Sequence, residues 1–430
     1  MKTYFIKTFG CQMNVSDSER IDGFLENNKY KPTSKIEEAD LVVFNTCGVR
    51  QMAENRAYGQ IHNLRKNNPN IKIVLTGCLS NRKDVRRRLQ NKVDLFCEIK
   101  NFPSEITKLL QTYQLQTSFN NALDQYLKIK PNYTNHYSAN IPIMTGCNNF
   151  CAYCVVPYAR GRETSRSNKE IIAEIKSLIK DGYKSVTLLG QNVNSYNDGL
   201  IDFPKLLKKI NAIPGKFWIN FVSSHPKDMS SELIETIAQC KKVCELVHLP
   251  IQAGSDVVLE KMNRKYTAGH YLGLVKKIKS AFKKYKPESL FALTSDIIVG
   301  FPGETKRQFL ESARLMEKVG YDMVYFGQFS PRPGTAAWNM KDNVSKIEKA
   351  RREKYLNAIL ERTTLANNKK YLRKTLEVLI EKEKDGFYFG KTRTLKNVKF
   401  PAVKKNLVGK IIKAKIIQAN IWNIEGEILP

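Results

Sequence analysis

The sequence predicts an α/β fold in three parts: an N-terminal parallel-sheet α/β domain, a central partial (β/α)6 barrel, and a small antiparallel β-barrel at the C-terminus. Three observations predict it. Apolar strand-like runs alternate with helix-like stretches through the first two parts, the pattern of a parallel sheet. Cysteines and amides recur directly after those runs, where parallel sheets gather ligands. The last part has short strands split by Gly, Asn and charge, with no helix between them. At 430 residues the chain is too long for one ordinary core, and the composition places the parts at about 1–130, 137–365 and 367–430.

In the first part, Lys2 to Phe9 alternates as a strand and ends in Gly10-Cys11-Gln12-Met13-Asn14. A helix is expected from Ser16, whose hydroxyl would cap it while Glu19 closes the capping box. Asp40 to Phe44 is an apolar strand ending in Asn45-Thr46-Cys47, followed by a helix from about Ala53 to Lys66. Ile71 to Leu75 is another, ending in Thr76-Gly77-Cys78. Cys11, Cys47 and Cys78 thus each follow a strand of one parallel sheet, so three thiols far apart in sequence converge on one place with three ligands rather than four. Cys97 reads as a small buried apolar residue. Residues 112 to 135 are polar, contain Pro131 and read as a linker or a peripheral helix and loop.

The central part opens on Cys147-Asn148-Asn149-Phe150-Cys151-Ala152-Tyr153-Cys154. Three thiols at this spacing cannot all pair as disulfides, and a closed zinc site wants a fourth ligand that no nearby Cys or His supplies. A cubane iron–sulfur cluster held by three thiolates keeps one iron open. Candidate strands lie at Ile141 to Met144, just before this stretch, and then at Ser185 to Leu189, Phe217 to Val222, Leu246 to Leu249, Phe291 to Val299 and Met323 to Phe329. Their ends carry Gln191-Asn192-Val193-Asn194, Ser223-Ser224-His225, Gln252-Ala253-Gly254, Asp296 and Ser330-Pro331-Arg332-Pro333-Gly334. These amides, hydroxyls and one imidazole suit hydrogen bonding to a nucleoside and a methionyl group, although each alone is an ordinary loop residue.

A charged helix from Ser345 to about Leu365 leads to the last part, with strands at Leu376 to Ile380, Gly386 to Lys391, Lys396 to Phe400, Lys410 to Ile417 and Ile421 to Ile428. Phe387, Tyr388 and Phe389 are interleaved with Lys391, Arg393, Lys396 and Lys399, placing stacking surfaces beside phosphate-seeking charge. Two of those three aromatics are expected in the barrel core. The formal net charge of +30 attracts polyanions, although a biased nucleotide composition rich in Lys, Asn and Ile also yields it. No apolar run approaches a membrane span and no signal peptide is read, so a soluble cytoplasmic protein, acting as a monomer, is expected.

The Cys-x3-Cys-x2-Cys stretch with Tyr153 before its last Cys resembles the cluster loop of the radical S-adenosylmethionine superfamily. Gly10-Cys11-Gln12-Met13-Asn14, Asn45-Thr46-Cys47 and Gly77-Cys78 resemble the N-terminal motifs of its methylthiotransferase family, with Leu79-Ser80-Asn81 and Phe96-Cys97-Glu98 departing from the usual pattern. The resemblance implies two 4Fe-4S clusters, one on Cys147, Cys151 and Cys154, the other on Cys11, Cys47 and Cys78. It implies S-adenosylmethionine held by Tyr153, Gln191, Asn192, Ser224, His225, Gln252, Asp296, Ile298 and Gly300, with Gly300 and Gly303 giving close backbone approach. It implies tRNA as partner, bound by Arg160, Arg162 and Arg166 of the loop after the triplet and by Lys391, Arg393 and Lys396 of a TRAM-like barrel. No side chain beyond the cluster ligands is implied as catalytic.

The reaction so implied is methylthiolation at C2 of an isopentenylated adenosine beside the tRNA anticodon, with an external electron donor and sulfur source. Gln12-Met13-Asn14, Leu188 to Tyr196 and Met262-Asn263-Arg264 favour this substrate over threonylcarbamoyladenosine in tRNA or an aspartate of a ribosomal protein. A non-catalytic, zinc-stabilised RNA-binding protein accounts for the charge and the barrel but not for the open triplets.

Overall fold

The structure is a computed structural model that describes residues 2–49, 51–110, 126–402 and 406–429. The stretch 112–125 of the expected linker lies outside the described residues.

The first five strands form one parallel sheet, β1 (Thr3–Thr8), β2 (Lys31–Pro32), β3 (Leu41–Thr46), β4 (Lys72–Gly77) and β5 (Leu95–Phe96), in the order β2-β1-β3-β4-β5. Every residue of β3 is buried, as a central parallel strand covered on both faces requires. One face packs Phe44, Ile61 and Leu75, the other Tyr4, Ile21 and Phe102. The first helix runs Gln12–Asn27, four residues earlier than the capping-box reading, with Cys11 at its N-cap and no side-chain cap. The expected cap fails because its residues serve the domain boundary. Ser16 Oγ donates to the Asn140 carbonyl at 3.2 Å and Glu19 accepts from Thr134 Oγ1 at 2.7 Å.

In the central part, β6 (Ser138–Pro142) is followed by a short ribbon of β7 (Met144–Thr145) and β8 (Thr164–Ser165). Parallel strands β9 (Ser185–Leu189), β10 (Trp218–Phe221), β11 (Leu246–His248), β12 (Ala292–Val299) and β13 (Met323–Gln328) complete it. They pair as β10-β9-β6 and β11-β12-β13, and a parallel bridge between Ile219 and Val243 links the two halves. Six strands with intervening helices therefore form an open barrel, with the largest apolar core of the molecule between strands and helices.

A helix, Lys346–Lys369, capped by Ser345 Oγ on Glu348 N, leads to the terminal barrel. Its strands β14 (Thr375–Lys384), β15 (Phe387–Thr392), β16 (Asn397–Pro401), β17 (Ile411–Ala419) and β18 (Ile424–Ile428) close in the order β14-β15-β16-β18-β17. One pair, β16 with β18, is parallel in an otherwise antiparallel barrel. Only Tyr388 of the three aromatics enters the core; Phe387 and Phe389 stay half-buried under Lys399 and Lys382, whose ammonium groups lie 4.0 and 5.1 Å from the ring centres.

Candidate functional site

Cys11, Cys47 and Cys78 emerge from the carboxyl ends of the adjacent strands β1, β3 and β4. Gly10, at φ +122°, lies so close to Cys47 that a Cβ on it would stand 2.7 Å from the Cys47 Cβ. A Cβ on Gly48 would stand 3.2 Å from that of Cys78. The three thiols thus form one row, with the amides between them locking the row in place. Asn14 Nδ2 donates to Asn45 Oδ1 at 2.9 Å and to the Thr46 carbonyl at 3.0 Å, while Asn45 Nδ2 donates to the Asn14 carbonyl at 2.8 Å. This reciprocal pair is the physical content of the Asn residues that flank Cys11 and Cys47.

The second trio is shaped by a clamp. Phe150 turns the loop at φ +47°, Asn263 Nδ2 donates to the Phe150 carbonyl at 2.9 Å, and Ala152 N donates to the Met262 carbonyl at 2.9 Å. Buried Arg264 donates from Nη1 to Cys151 Sγ at 3.3 Å and from Nη2 to the Pro250 carbonyl at 3.2 Å. Burial pushes the Cys154 thiol up to about 12, with Cys151 adding to it, and burial likewise raises Cys147. Such thiols ionise when a strongly positive centre takes them as ligands.

The loops that carry the two trios meet. The Cβ position of Gly48 is 3.3 Å from Val155 Cγ2, and a cavity of about 700 Å³ is lined by Cys78 on one side and Val155, Tyr158 and Ala159 on the other. Among the described residues no three Cys, His, Asp or Glu side chains close around a single metal ion. A cubane fits better, since it spreads its thiolates over separate irons and each trio leaves one iron open.

Of the buried polar atoms without a hydrogen-bond partner among the described residues, five cluster in two adjacent loops and mark where a polar ligand fits: Gln191 Oε1, Asn192 Oδ1, Asn194 Oδ1, Ser224 Oγ and His225 Nε2. They follow β9 and β10, and the two loops are tied by Val193 N donating to the Ser223 carbonyl at 3.2 Å. His225 Nδ1 accepts from Lys227 N at 3.1 Å, so its proton sits on Nε2. Burial, helped by Arg264 and Lys227, lowers its pKa to about 2, keeping it a neutral donor. Half-buried Tyr153 packs against the central core beside Arg264.

Other expected ligand residues fall elsewhere. Gln252, at φ +71°, bridges backbone to backbone with the Asp296 carbonyl and Ile298 N. Ile298 packs partly against the central core. The Asp296 carboxylate stands 3.4 Å from His248 Nε2 and lines a different cleft. At Gly300, φ +70°, a Cβ would meet Lys349 Cγ at 2.5 Å, so the missing side chain makes room for that lysine. Gly303 N is taken by Asn343 Oδ1 at 2.7 Å.

Four of the six expected phosphate-binding cations are held by carboxylates of the chain itself. Arg160 pairs with Asp17 at 2.6 Å, their side chains 5% and 3% exposed, and Tyr126 OH donates to the same carboxylate. Arg166 pairs with Glu174, which also holds Arg20. Arg393 grips Glu245 at 2.7 and 2.8 Å, and Lys396 pairs with Asp322 at 2.9 Å. A partially buried cation finds a carboxylate of its own chain before it reaches a partner. Arg162, exposed with its guanidinium 4.4 Å from the Phe150 ring centre, and Lys391, hydrogen-bonded to Asn397 Oδ1 at 2.8 Å, remain on the surface side.

Two contacts were not foreseen. Arg332 donates to Gln51 Oε1 at 2.6 Å and to the Val49 carbonyl at 2.7 Å, fastening the loop after Cys47 to the end of β13. Asp17 anchors Arg160. Neither had a sequence signal beyond its charge, because each partner is more than a hundred residues away.

Comparison with known proteins adds three matches along the chain. Residues 141–316 match the Radical SAM superfamily, residues 3–98 the Uncharacterized protein family UPF0004, and residues 369–429 the TRAM domain. The chain is 42% identical to a tRNA-2-methylthio-N(6)-dimethylallyladenosine synthase of Thermoanaerobacter pseudethanolicus, over 99% of this chain and 92% of the relative. Proteins of the same name from Clostridium botulinum and Clostridium perfringens are 41% and 40% identical, covering 99% and 100% of this chain and 96% and 98% of theirs. Among solved structures, the radical S-adenosylmethionine methyltransferase TsrM from Kitasatospora setae shares the fold at a TM-score of 0.54 and 14% identity, over 78% of this chain and 75% of that one.

Proposed function

The chain belongs to the tRNA-2-methylthio-N(6)-dimethylallyladenosine synthase family, and from that premise we propose how its residues divide the work. It is a transferase that adds a methylthio group to C2 of an isopentenylated adenosine beside the anticodon of tRNA. It works with two 4Fe-4S clusters and S-adenosylmethionine. The single observation that carries this reading is that the loops bearing the two thiol trios meet at Gly48 and Val155 in a chain about two-fifths identical to those synthases from end to end.

Cys147, Cys151 and Cys154 hold the radical-generating cluster, and Cys11, Cys47 and Cys78 the sulfur-handling one. When bound, the clusters and S-adenosylmethionine supply a carbon radical that removes the C2 hydrogen, and the sulfur and methyl group that replace it. An aromatic C–H is too weakly acidic for removal by a side-chain base, so no His or carboxylate is needed for that step.

What the chain contributes is placement. Gln191, Asn192, Asn194 and Ser224 offer unpaired polar atoms to the amino, carboxylate and ribose groups of S-adenosylmethionine, and His225 offers a fixed Nε2–H donor. Arg264 places a buried positive charge against Cys151, favouring the thiolate and the reduced cluster. Arg160, paired with Asp17, joins the loop after Cys154 to the helix that starts beside Cys11 and so sets the spacing of the trios. Arg162 and Lys391 are the cations of the earlier set that we assign to RNA phosphates.

We divide the chain into cluster-binding, radical and RNA-binding domains at 1–130, 137–365 and 367–430, and read it as a cytoplasmic monomer served by separate electron and sulfur donors. No helix among the described residues is long and apolar enough to cross a membrane.

The test is anaerobic. The protein is reconstituted with iron and sulfide, given S-adenosylmethionine, reductant and isopentenylated tRNA, and the digested nucleosides are analysed by mass spectrometry. A methylthio gain on isopentenyladenosine is expected. 5′-Deoxyadenosine without that nucleoside would move the substrate to threonylcarbamoyladenosine or a ribosomal-protein aspartate, and zinc in place of iron with neither product would overturn the enzyme reading.

A further inference from the structure

A second cleft, of about 480 Å³, lies where the three parts of the chain meet. Gln12 reaches it from the first part, His248, Asp296 and Tyr325 from within β11 to β13, and Lys391 and Trp422 from the terminal barrel. None of the five unpartnered side chains after β9 and β10 lines it, nor do Gly48, Val155 or Cys78, although Ser223 of the β10 loop does. It therefore lies beside the cofactor loops and apart from the cavity lined by Cys78 and Val155.

Its walls have the chemistry of a site for an unpaired nucleotide. Trp422 and Tyr325 are large aromatics left 46% and 56% exposed, and both line the cleft. Lys391 hydrogen-bonds the neutral Asn397 amide and keeps its charge for an anion. Asp322, which would repel a phosphate, is neutralised by Lys396 at 2.9 Å. His248 and Asp296, 3.4 Å apart, present a polar edge beside the rings. Single-stranded RNA is recognised by this combination of stacking surface, cation and hydrogen-bonding edge, and the volume suits one nucleotide rather than a helix.

Resting on the tRNA reading above, we propose that this cleft binds one unpaired anticodon-loop nucleotide flanking the target, with its base against Trp422 and Tyr325 and its phosphate at Lys391. Gln12 follows Cys11, and Ser223, which also lines the cleft, precedes Ser224, so an occupant sits beside both halves of the reacting site. Holding the neighbour out of the loop stack turns the target base toward the trios. The enzyme then selects its tRNAs at a position it does not modify.

The experiment titrates the reconstituted full-length enzyme with anticodon stem-loop RNAs carrying the isopentenylated target, one intact and others abasic at each remaining unpaired loop position. Wild type, W422A and W422F are compared, with iron content and thermal melting as controls for folding. W422A is expected to bind the intact RNA about tenfold more weakly, with W422F recovering most of the loss. One abasic RNA is expected to bind wild type weakly and to lose nothing further with W422A. Unchanged affinity in W422A, or a loss that adds independently to every abasic position, overturns the proposal. Failure of the underlying tRNA reading has its own signature: wild type then binds none of these RNAs, and the proposal falls with it.

Discussion

Arg264 donates from Nη1 to the Sγ of Cys151 across 3.3 Å, so the thiol we assign to the central cluster, 113 residues away, takes a charge-assisted hydrogen bond from a buried guanidinium. Such a bond favours the more negative, reduced cluster. Losing one worth about 1.5 kcal/mol corresponds to about 60 mV for a one-electron couple. Arg264→Met is expected to lower the midpoint potential of the central cluster by about that amount, read by redox titration followed by electron paramagnetic resonance. An unchanged potential in a variant with full iron content would remove this role from Arg264.

The two trios are expected to fail in different ways. Cys151→Ala should abolish 5′-deoxyadenosine formation, whereas Cys47→Ala should leave it measurable and lose the methylthio nucleoside. Each loss should exceed the roughly 10–100-fold that removing an outer partner of a ligand costs. Chromatography of 5′-deoxyadenosine beside mass spectrometry of the nucleosides separates the two. Equal loss of both products in Cys47→Ala would mean that the clusters are not divided by task.

The Asp17–Arg160 pair makes a stability prediction. Asp17→Ala strands a buried guanidinium, at a cost of about 3–5 kcal/mol. Arg160→Met combined with Asp17→Leu should recover much of it, because an apolar pair of similar volume leaves no charge behind. Denaturant unfolding of the wild type, Asp17→Leu, Arg160→Met and the double variant measures the coupling, and additive losses would show that the pair is not a unit.

His225 gives a pH dependence. Its folded pKa is depressed to about 2 by burial, below the ordinary value of 6.5, so its contribution to stability is fully present above pH 6.5. As the pH falls below 6.5 the unfolded chain takes up a proton that the folded one refuses, and stability declines by up to about 1.4 kcal/mol per pH unit toward pH 2. His225→Gln should flatten that slope between pH 6.5 and 5 in urea titrations. A wild-type slope retained by the variant would assign the pH dependence to other groups.

Much of the fold was legible because strand pattern and ligand chemistry agree in this chain. Ser185 to Leu189 alternates with helices of ordinary length and is β9 to the residue. Cys11, Cys47 and Cys78 could be set side by side from strand order alone, because ligand residues gather at the ends of parallel strands. Lys31–Pro32 and Leu95–Phe96 were not foreseen, since a two-residue edge strand has no periodicity to read. Ser16 and Glu19 carry the local signature of a cap, yet Asn140 and Thr134 outbid the helix end for them. The same holds for Arg160, Arg166, Arg393 and Lys396: their charge was visible, and the carboxylates that hold them were not, lying 8 to 148 residues away or on another domain.

The closed terminal barrel also completes the open one. Leu379 of β14 is packed with Trp218 and Cys244, all nearly inaccessible, near the isolated bridge between Ile219 and Val243 where the halves of the central sheet meet. Tyr137 OH donates to the Glu381 carbonyl at 2.8 Å beside them. The last domain is a keystone as well as an RNA handle. Truncating the chain after the Lys346–Lys369 helix would open this seam to solvent and leave a sticky, aggregation-prone edge in place of a smaller working enzyme. Heat and proteases should accordingly meet the central and terminal domains as one cooperative body.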